Sequence, residues 1–165
     1  MTLYEEVGDR WGLARALANM GWLAEQLGQL GEARELCQKS QILLQELGDQ
    51  REMADAMLIL GIISWVQGHL DEALSLIEES LVIFRAGDDW IRIGQCTKGL
   101  CDALVRCGRY DDGLVLFDSS IDTFEELAYA SGASAVLPFL AEAKLHLGRY
   151  SEARTDALQG IVRAR

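Results

Sequence analysis

One short phrase recurs four times, each copy forty positions after the last. Gly28-Gln29-Leu30-Gly31-Glu32-Ala33 returns as Gly68-His69-Leu70-Asp71-Glu72-Ala73. It returns again as Gly108-Arg109-Tyr110-Asp111-Asp112-Gly113 and as Gly148-Arg149-Tyr150-Ser151-Glu152-Ala153. A fixed period of roughly 20 to 50 residues marks an array of supersecondary units, each too small to bury its apolar face alone. Stacked units offer an extended surface and no single closed core. That constrains the chain towards binding and away from catalysis in a cleft.

Each unit reads as two amphipathic helices. In the second unit, Asp49 can cap a helix running to about Gln67, with Met53, Met57, Leu60, Ile63 and Ser64 at helical spacing. Gly68 is placed to end it in the left-handed conformation. Asp71 is expected to cap a second helix to about Phe84, with Ala73, Leu74, Ile77, Leu81 and Phe84 on one stripe. Acidic residues crowd the second-helix starts, where the positive end of the helix dipole favours them. The links between helices are short, so paired helices must run antiparallel.

A second landmark sets the register. Leu47-Gly48-Asp49 joins two units. Val7-Gly8-Asp9 precedes it by one full period, and Ala86-Gly87-Asp88 follows it one position short of a period. One residue is therefore expected to be missing from the second helix of the second unit or its exit turn. The units run approximately over 9–47, 49–86, 88–127 and 129–165, with 1–8 as the tail of a preceding helix. The fourth junction has Ala128 and Tyr129 where glycine and aspartate stand elsewhere. Pro138 falls inside that unit's first helix. Proline removes a backbone donor and clashes with the preceding turn, so this helix either starts late or is kinked.

Composition narrows the function. Half the residues are apolar and a quarter charged, enough for a continuous core in a soluble chain. No apolar run approaches the roughly 18 residues that span a bilayer. The N-terminal residues carry no basic region and no apolar signal core, which points to the cytoplasm. The net charge is −11 and the 15 basic residues are scattered, an arrangement unsuited to nucleic acid or an anionic membrane. Cys37, Cys96, Cys101 and Cys107 form no Cys-x-x-Cys pair, and neither histidine has zinc-ligand spacing from them. They read as reduced thiols in the core. Arginine outnumbers lysine twelve to three, a bias found in GC-rich bacterial genomes.

The pattern resembles the tetratricopeptide repeat, in a longer form with a period of forty. The family's Leu-Gly pair reads Met20-Gly21, Leu60-Gly61, Leu100-Cys101 and Leu140-Ala141. The turn glycines are Gly28, Gly68, Gly108 and Gly148, and the small residue of the second helix is Ala33, Ala73, Gly113 and Ala153. Small residues let the helices approach closely while larger ones fill the space around them. The family tryptophan is replaced by Leu17, Met57, Thr97 and Leu137, and the closing proline is absent. Repeats of this Gly-Asp type resemble those of bacterial STAND-type signalling regulators and of animal spindle-orientation scaffolds. The resemblance implies an all-α fold: a right-handed α-solenoid of about four antiparallel helix pairs.

It also implies a concave groove lined by the first helix of each unit. On this chain the groove positions include Trp22, Leu58, Ile62 and Trp65, an apolar wall, followed by Lys98, Asp102, Arg106, Glu142 and His146, a charged one. The tryptophans read either as anchors for a peptide side chain or as core between helices. Lys98, Asp102 and Arg106 stand four apart and form either a recognition strip or an internal salt-bridge ladder. The carboxylate clamp known in the family is not matched, since Asn19 is the chain's one asparagine.

Chemistry is not indicated. The sequence has no His-Glu-x-x-His, no Gly-x-Ser-x-Gly and no phosphate-cradling Gly-Lys-Ser/Thr loop. No catalytic residue, metal site or cofactor is expected. The expected partner is a protein or peptide. Residues 151–165 read as a second helix without a polar cap after it, so the chain is expected to be part of a larger repeat protein or to self-associate.

Overall fold

A computed structural model describes residues 8–126 and 130–163. The expected tail at 1–7 and the junction at Ala128 and Tyr129 lie outside them. The described residues form eight α-helices: α1 Arg10–Gln26, α2 Leu30–Leu47, α3 Gln50–Val66, α4 Leu70–Ala86, α5 Trp90–Arg106, α6 Tyr110–Glu126, α7 Ala130–His146 and α8 Tyr150–Arg163. A helix starts at every twentieth position from Arg10 to Tyr150. The all-α helix-pair expectation holds.

The chain divides into two compact units, Met1–Gly87 and Asp88–Arg165. In the first, α1 pairs with α2 and α3 with α4, and α3 also packs on α1 and α2. In the second, α5 and α7 both pack on α6, α5 meets α7, and α7 pairs with α8. The first unit's core joins Leu17, Ala24, Ala33, Leu36 and Cys37 of one helix pair to Leu60 and Ile63 of the next. Two facing pairs of helices thus bury what neither buries alone.

The helix starts explain the precision of the period. Asp9, Asp49 and Asp89 are N-caps, and each accepts a hydrogen bond from a backbone N–H in the first turn: Gly12, Glu52 and Arg92. Helix α4 starts earlier than its acidic run suggests. His69, not Asp71, is its N-cap residue, and the His69 side chain makes no capping bond. Asp71 and Glu72 instead sit in the first turn, where the dipole favours them.

The expected one-residue deletion is not there. Asp89 caps α5 as Asp49 caps α3, one full period apart, so the period holds across the junction. What shifts by one is the glycine. Gly8 and Gly48 take the left-handed conformation at φ 73° and 72°, whereas Asp88 takes it at φ 52° and Gly87 does not. Aspartate tolerates this region better than most residues but is still sterically strained there. Asp88→Gly is therefore expected to stabilise the protein by about 0.5 kcal/mol, strain of about 1 kcal/mol outweighing the added chain entropy. A urea titration of the two proteins checks the sign.

Pro138 lies inside α7, which begins at Ala130, in register with the other first helices. The late start is thus corrected: the helix runs on past the proline, whose ring is exposed. Proline has no N–H to donate to the preceding turn, and that is the cost.

The helix crossings follow the small residues. A Cβ on Gly21 would collide with Cys37 Sγ, and one on Gly61 would lie 2.5 Å from Ile77 Cγ1 and 3.3 Å from the Ala73 carbonyl oxygen. Two buried serines tie the same crossings. Ser40 Oγ donates to the Ala14 carbonyl at 2.8 Å, and Ser80 Oγ to the Ala54 carbonyl at 3.0 Å. Ser40, Ser80 and Ser120 repeat with the same period in the sequence, a signal as regular as the glycines.

Polar bridges link successive pairs within the first unit. Arg34 on α2 donates to Ser64 Oγ at 2.8 Å, to Gln67 Oε1 at 3.0 Å and to Glu72 Oε1 at 2.9 Å. Its guanidinium holds the Glu72 carboxyl below the usual glutamate range. Trp11 Nε1 donates to Asp49 Oδ2 at 2.8 Å, which with the backbone N–H of Glu52 lowers the Asp49 pKa. Both carboxylates have depressed values in the folded chain. Their stabilisation is present at neutral pH and fades as the pH falls through those values.

No disulfide joins the four cysteines. Cys37, Cys96 and Cys101 are buried, and Cys107 is the C-cap residue of α5. Burial pushes the Cys37 thiol up to about 12 and raises Cys101 further. These thiols remain protonated and act as small apolar side chains.

Candidate binding surface

The exposed side of α1 is set by what the helix buries. Ala14, Leu17, Ala18, Gly21 and Ala24 form its buried stripe. Trp22 stands off that stripe by one residue, about 100° around the helix, and is 53% exposed. On α3 the same register position is Ile62, which is half-buried. Trp65 is half-buried near the end of α3, beside Val66, which is exposed. Trp22, Ile62 and Trp65 therefore all present surface, on two helices that pack together.

Leu58 does not join them. It is 3% exposed and belongs to the core. The reason is the position of α3, which packs against α1, α2 and α4 and buries eight of its residues. A helix enclosed on several sides has a narrower free strip than a repeat motif alone suggests.

In the second unit, Lys98 and Arg106 are exposed on α5 and Asp102 is half-buried between them. Arg106 Nε donates to Asp102 Oδ1 at 3.1 Å, so this half of the column is an ion pair within the helix. Such exposed pairs contribute a few tenths of a kcal/mol. Glu142 is exposed on α7. His146 stacks flat on Tyr110 of α6, with ring centroids 4.7 Å apart and planes 9° apart. One face of the imidazole is thereby covered by a neighbouring helix.

Two features near this surface carried no sequence signal. Arg15 lies over the Trp11 ring, 4.6 Å from its centroid, and its Nε is 3.4 Å from Glu52 Oε2. Arg34 reaches three partners on the next helix pair. Neither recurs in the next two units: Arg15 is followed by Asp55 and Gln95, Arg34 by Leu74 and Leu114, although Arg154 returns at the position of Arg34 in the fourth. Among the described residues no group of three or more His, Cys, Asp or Glu is placed to hold a metal ion. No helix among them is long and apolar enough to cross a membrane.

Helices that start at every twentieth position, pair with their neighbours and are joined by short turns bearing a left-handed glycine define an α-helical repeat protein. The family model for the tetratricopeptide repeat matches residues 12–39 and 54–79. These two segments each span the crossing of one helix pair, and over them the chain is similar to that repeat. Solved structures agree on the fold. Aspartyl phosphate phosphatase F from Bacillus subtilis is similar with a TM-score of 0.86 at 13% identity, over 94% of this chain and 41% of that one. A Rap protein complexed with Competence and Sporulation Factor is similar with a TM-score of 0.76 at 16% identity, over 89% of this chain and 42% of that one. The chain thus spans less than half the length of either. No curated protein matches it in sequence.

Proposed function

We propose that this repeat array is a protein- or peptide-binding module and that the exposed side of α1 and α3 receives the partner. The observation that carries the reading is Trp22, an aromatic side chain 53% exposed on a helix anchored by a buried stripe of Ala14, Leu17, Ala18, Gly21 and Ala24. A large ring already held by a rigid helix loses little entropy on binding, and such residues supply much of an interface's energy. Ile62 and Trp65 extend the apolar surface. In the second unit Lys98, Asp102, Arg106, Glu142 and His146 give a polar counterpart, in which Asp102–Arg106 and His146–Tyr110 are already engaged. The reading assigns the chain no catalysis and no cofactor. One neighbour is named a phosphatase, but at 13% identity the likeness is one of fold.

The test is a displayed-peptide library selected on the wild-type protein. Binders are then measured against Trp22→Ala, Trp65→Ala and the double variant. The double variant is expected to bind at least about tenfold more weakly, and Trp22→Ala, at the exposed position, to weaken binding with an unchanged melting curve. Equal affinity would refute the assignment of this surface.

A second reading treats the chain as the regulatory segment of a longer bacterial signalling protein, of the kind that joins such repeats to a STAND-type NTPase. It is favoured by the share of each neighbour that the chain spans, 41% and 42%, and by the complex that one of them forms with Competence and Sporulation Factor. The reading frame around the coding sequence tests it, and an open frame limited to these repeats counts against it.

A further inference from the structure

Building on the partner surface proposed above, we infer that the segment received there presents a basic side chain, arginine or lysine, to Glu25 beside Trp22 and Trp65. Glu25 lies one turn beyond Trp22 on α1, so the two are neighbours on the helix surface. Trp65 follows Glu25 by one full period, on α3, and α3 packs on α1. This strip is open by its place in the array. Helix α3 follows a complete helix pair, yet its positions equivalent to Trp22, Glu25 and Gln26 still present surface: Ile62 and Trp65 are half-buried and Val66 is 46% exposed.

The charge of the occupant follows from Glu25. In its row of the repeat the other residues are Trp65, Val105 and Leu145, all apolar. Glu25 is half-buried, and its Oε2 accepts a hydrogen bond from the Gln26 side-chain amide at 2.6 Å. That neutral donor leaves the charge unbalanced. The arginines of α1 and α3 are engaged elsewhere, Arg10 by Glu46 and both Arg15 and Arg51 by Glu52. No described cation forms an ion pair with Glu25, and residues 1–7 contain no lysine or arginine. A partly desolvated carboxylate gains when a cation is brought to it. Tryptophan ring faces attract the same cation, and a guanidinium also stacks on them. The chain's net charge of −11 draws basic segments towards it and repels acidic ones.

The probes are the peptides selected on the wild-type protein, each resynthesised with its arginines and lysines changed to glutamine, and calorimetric titration measures both forms. Peptides whose binding needs Trp22 are expected to carry a basic residue and to lose at least about tenfold in affinity on its replacement. Glu25→Gln is expected to cost the basic form as much and the glutamine form nothing further. Glutamine keeps the size of the side chain, so the circular dichroism melt should stay unchanged. Glu35→Gln, at an exposed position on α2, alters the net charge equally and should bind like wild type. Trp22-dependent peptides that lack a basic residue, or that bind Glu25→Gln as well as wild type, overturn the proposal and leave the partner surface standing. An equal loss in Glu35→Gln also overturns it, since overall charge would then suffice. Binding indifferent to both tryptophans removes the partner surface and this proposal together.

Discussion

Gly61→Val is expected to destabilise the protein by about 3 kcal/mol, the upper range of overpacking in a close-packed crossing. The Cβ of any residue at 61 would sit 2.5 Å from Ile77 Cγ1 and 3.3 Å from the Ala73 carbonyl oxygen. The carbonyl belongs to helix backbone and cannot rotate away, so α3 and α4 must separate. Separation also stretches the bonds that cross between the pairs, from Arg34 to Glu72 among them. The gain from replacing a mid-helix glycine, roughly 0.5–1 kcal/mol, is too small to compensate. At about 2–4 °C per kcal/mol for a chain of this size, the melting midpoint should fall by roughly 6–12 °C. Gly113→Ala is the control. A Cβ there would be 3.6 Å from Phe117 Cε2 and 3.9 Å from Leu104 Cβ, ordinary contact, so this change should be neutral or slightly stabilising. If both glycines respond alike, helix propensity rather than close approach governs these positions.

Phe117→Ala should cost about 3–5 kcal/mol. Phe117 is fully buried on α6 at the register position of Cys37 and Ile77. The three crossings trade volume. Where the first helix has glycine, at 21 and 61, the second carries Cys37 or Ile77 behind Ala33 or Ala73. In the third pair the first helix has Cys101, and Gly113 replaces the alanine in front of Phe117. Truncating the ring leaves a cavity that the helices cannot close while Cys101 keeps them apart. A domain's net stability is about 5–15 kcal/mol, so much of it would be lost. Denaturant midpoints for Phe117→Ala and Phe117→Leu distinguish a packing defect, graded with volume, from a general loss of fold, equal in both.

The core was largely legible beforehand because repetition averages out local ambiguity. Met57, Leu60, Ile63, Ala73, Leu74, Ile77, Leu81 and Phe84 were each expected inside and are buried. Asp49 caps its helix as its residue type and place demand. Asp88 was harder. Matching Gly-Asp to Gly-Asp puts one residue too few between junctions, whereas backbone conformation shows that an aspartate has taken the glycine's role. The start of α4 was misplaced because two acidic residues follow an uncapped position, His69.

Individual surface residues were less legible. A repeat motif assigns Trp22 and Leu58 to the same strip, yet one is 53% exposed and the other 3%. The difference lies in how many helices surround each position, and no local pattern records it. His146 reads as free until α6 brings Tyr110 against it. Lys144 and Asp156 read as ordinary charges until the α7–α8 crossing makes them a nearly buried pair.

Sequence alone determined the helices, their pairing and their period, because capping, left-handed glycines and apolar spacing act within a few residues. Tertiary structure alone decided which apolar side chains remain in water and which charges lose it. Those outcomes depend on neighbours from other helices, distant along the chain, whose approach is set by the volume at each crossing.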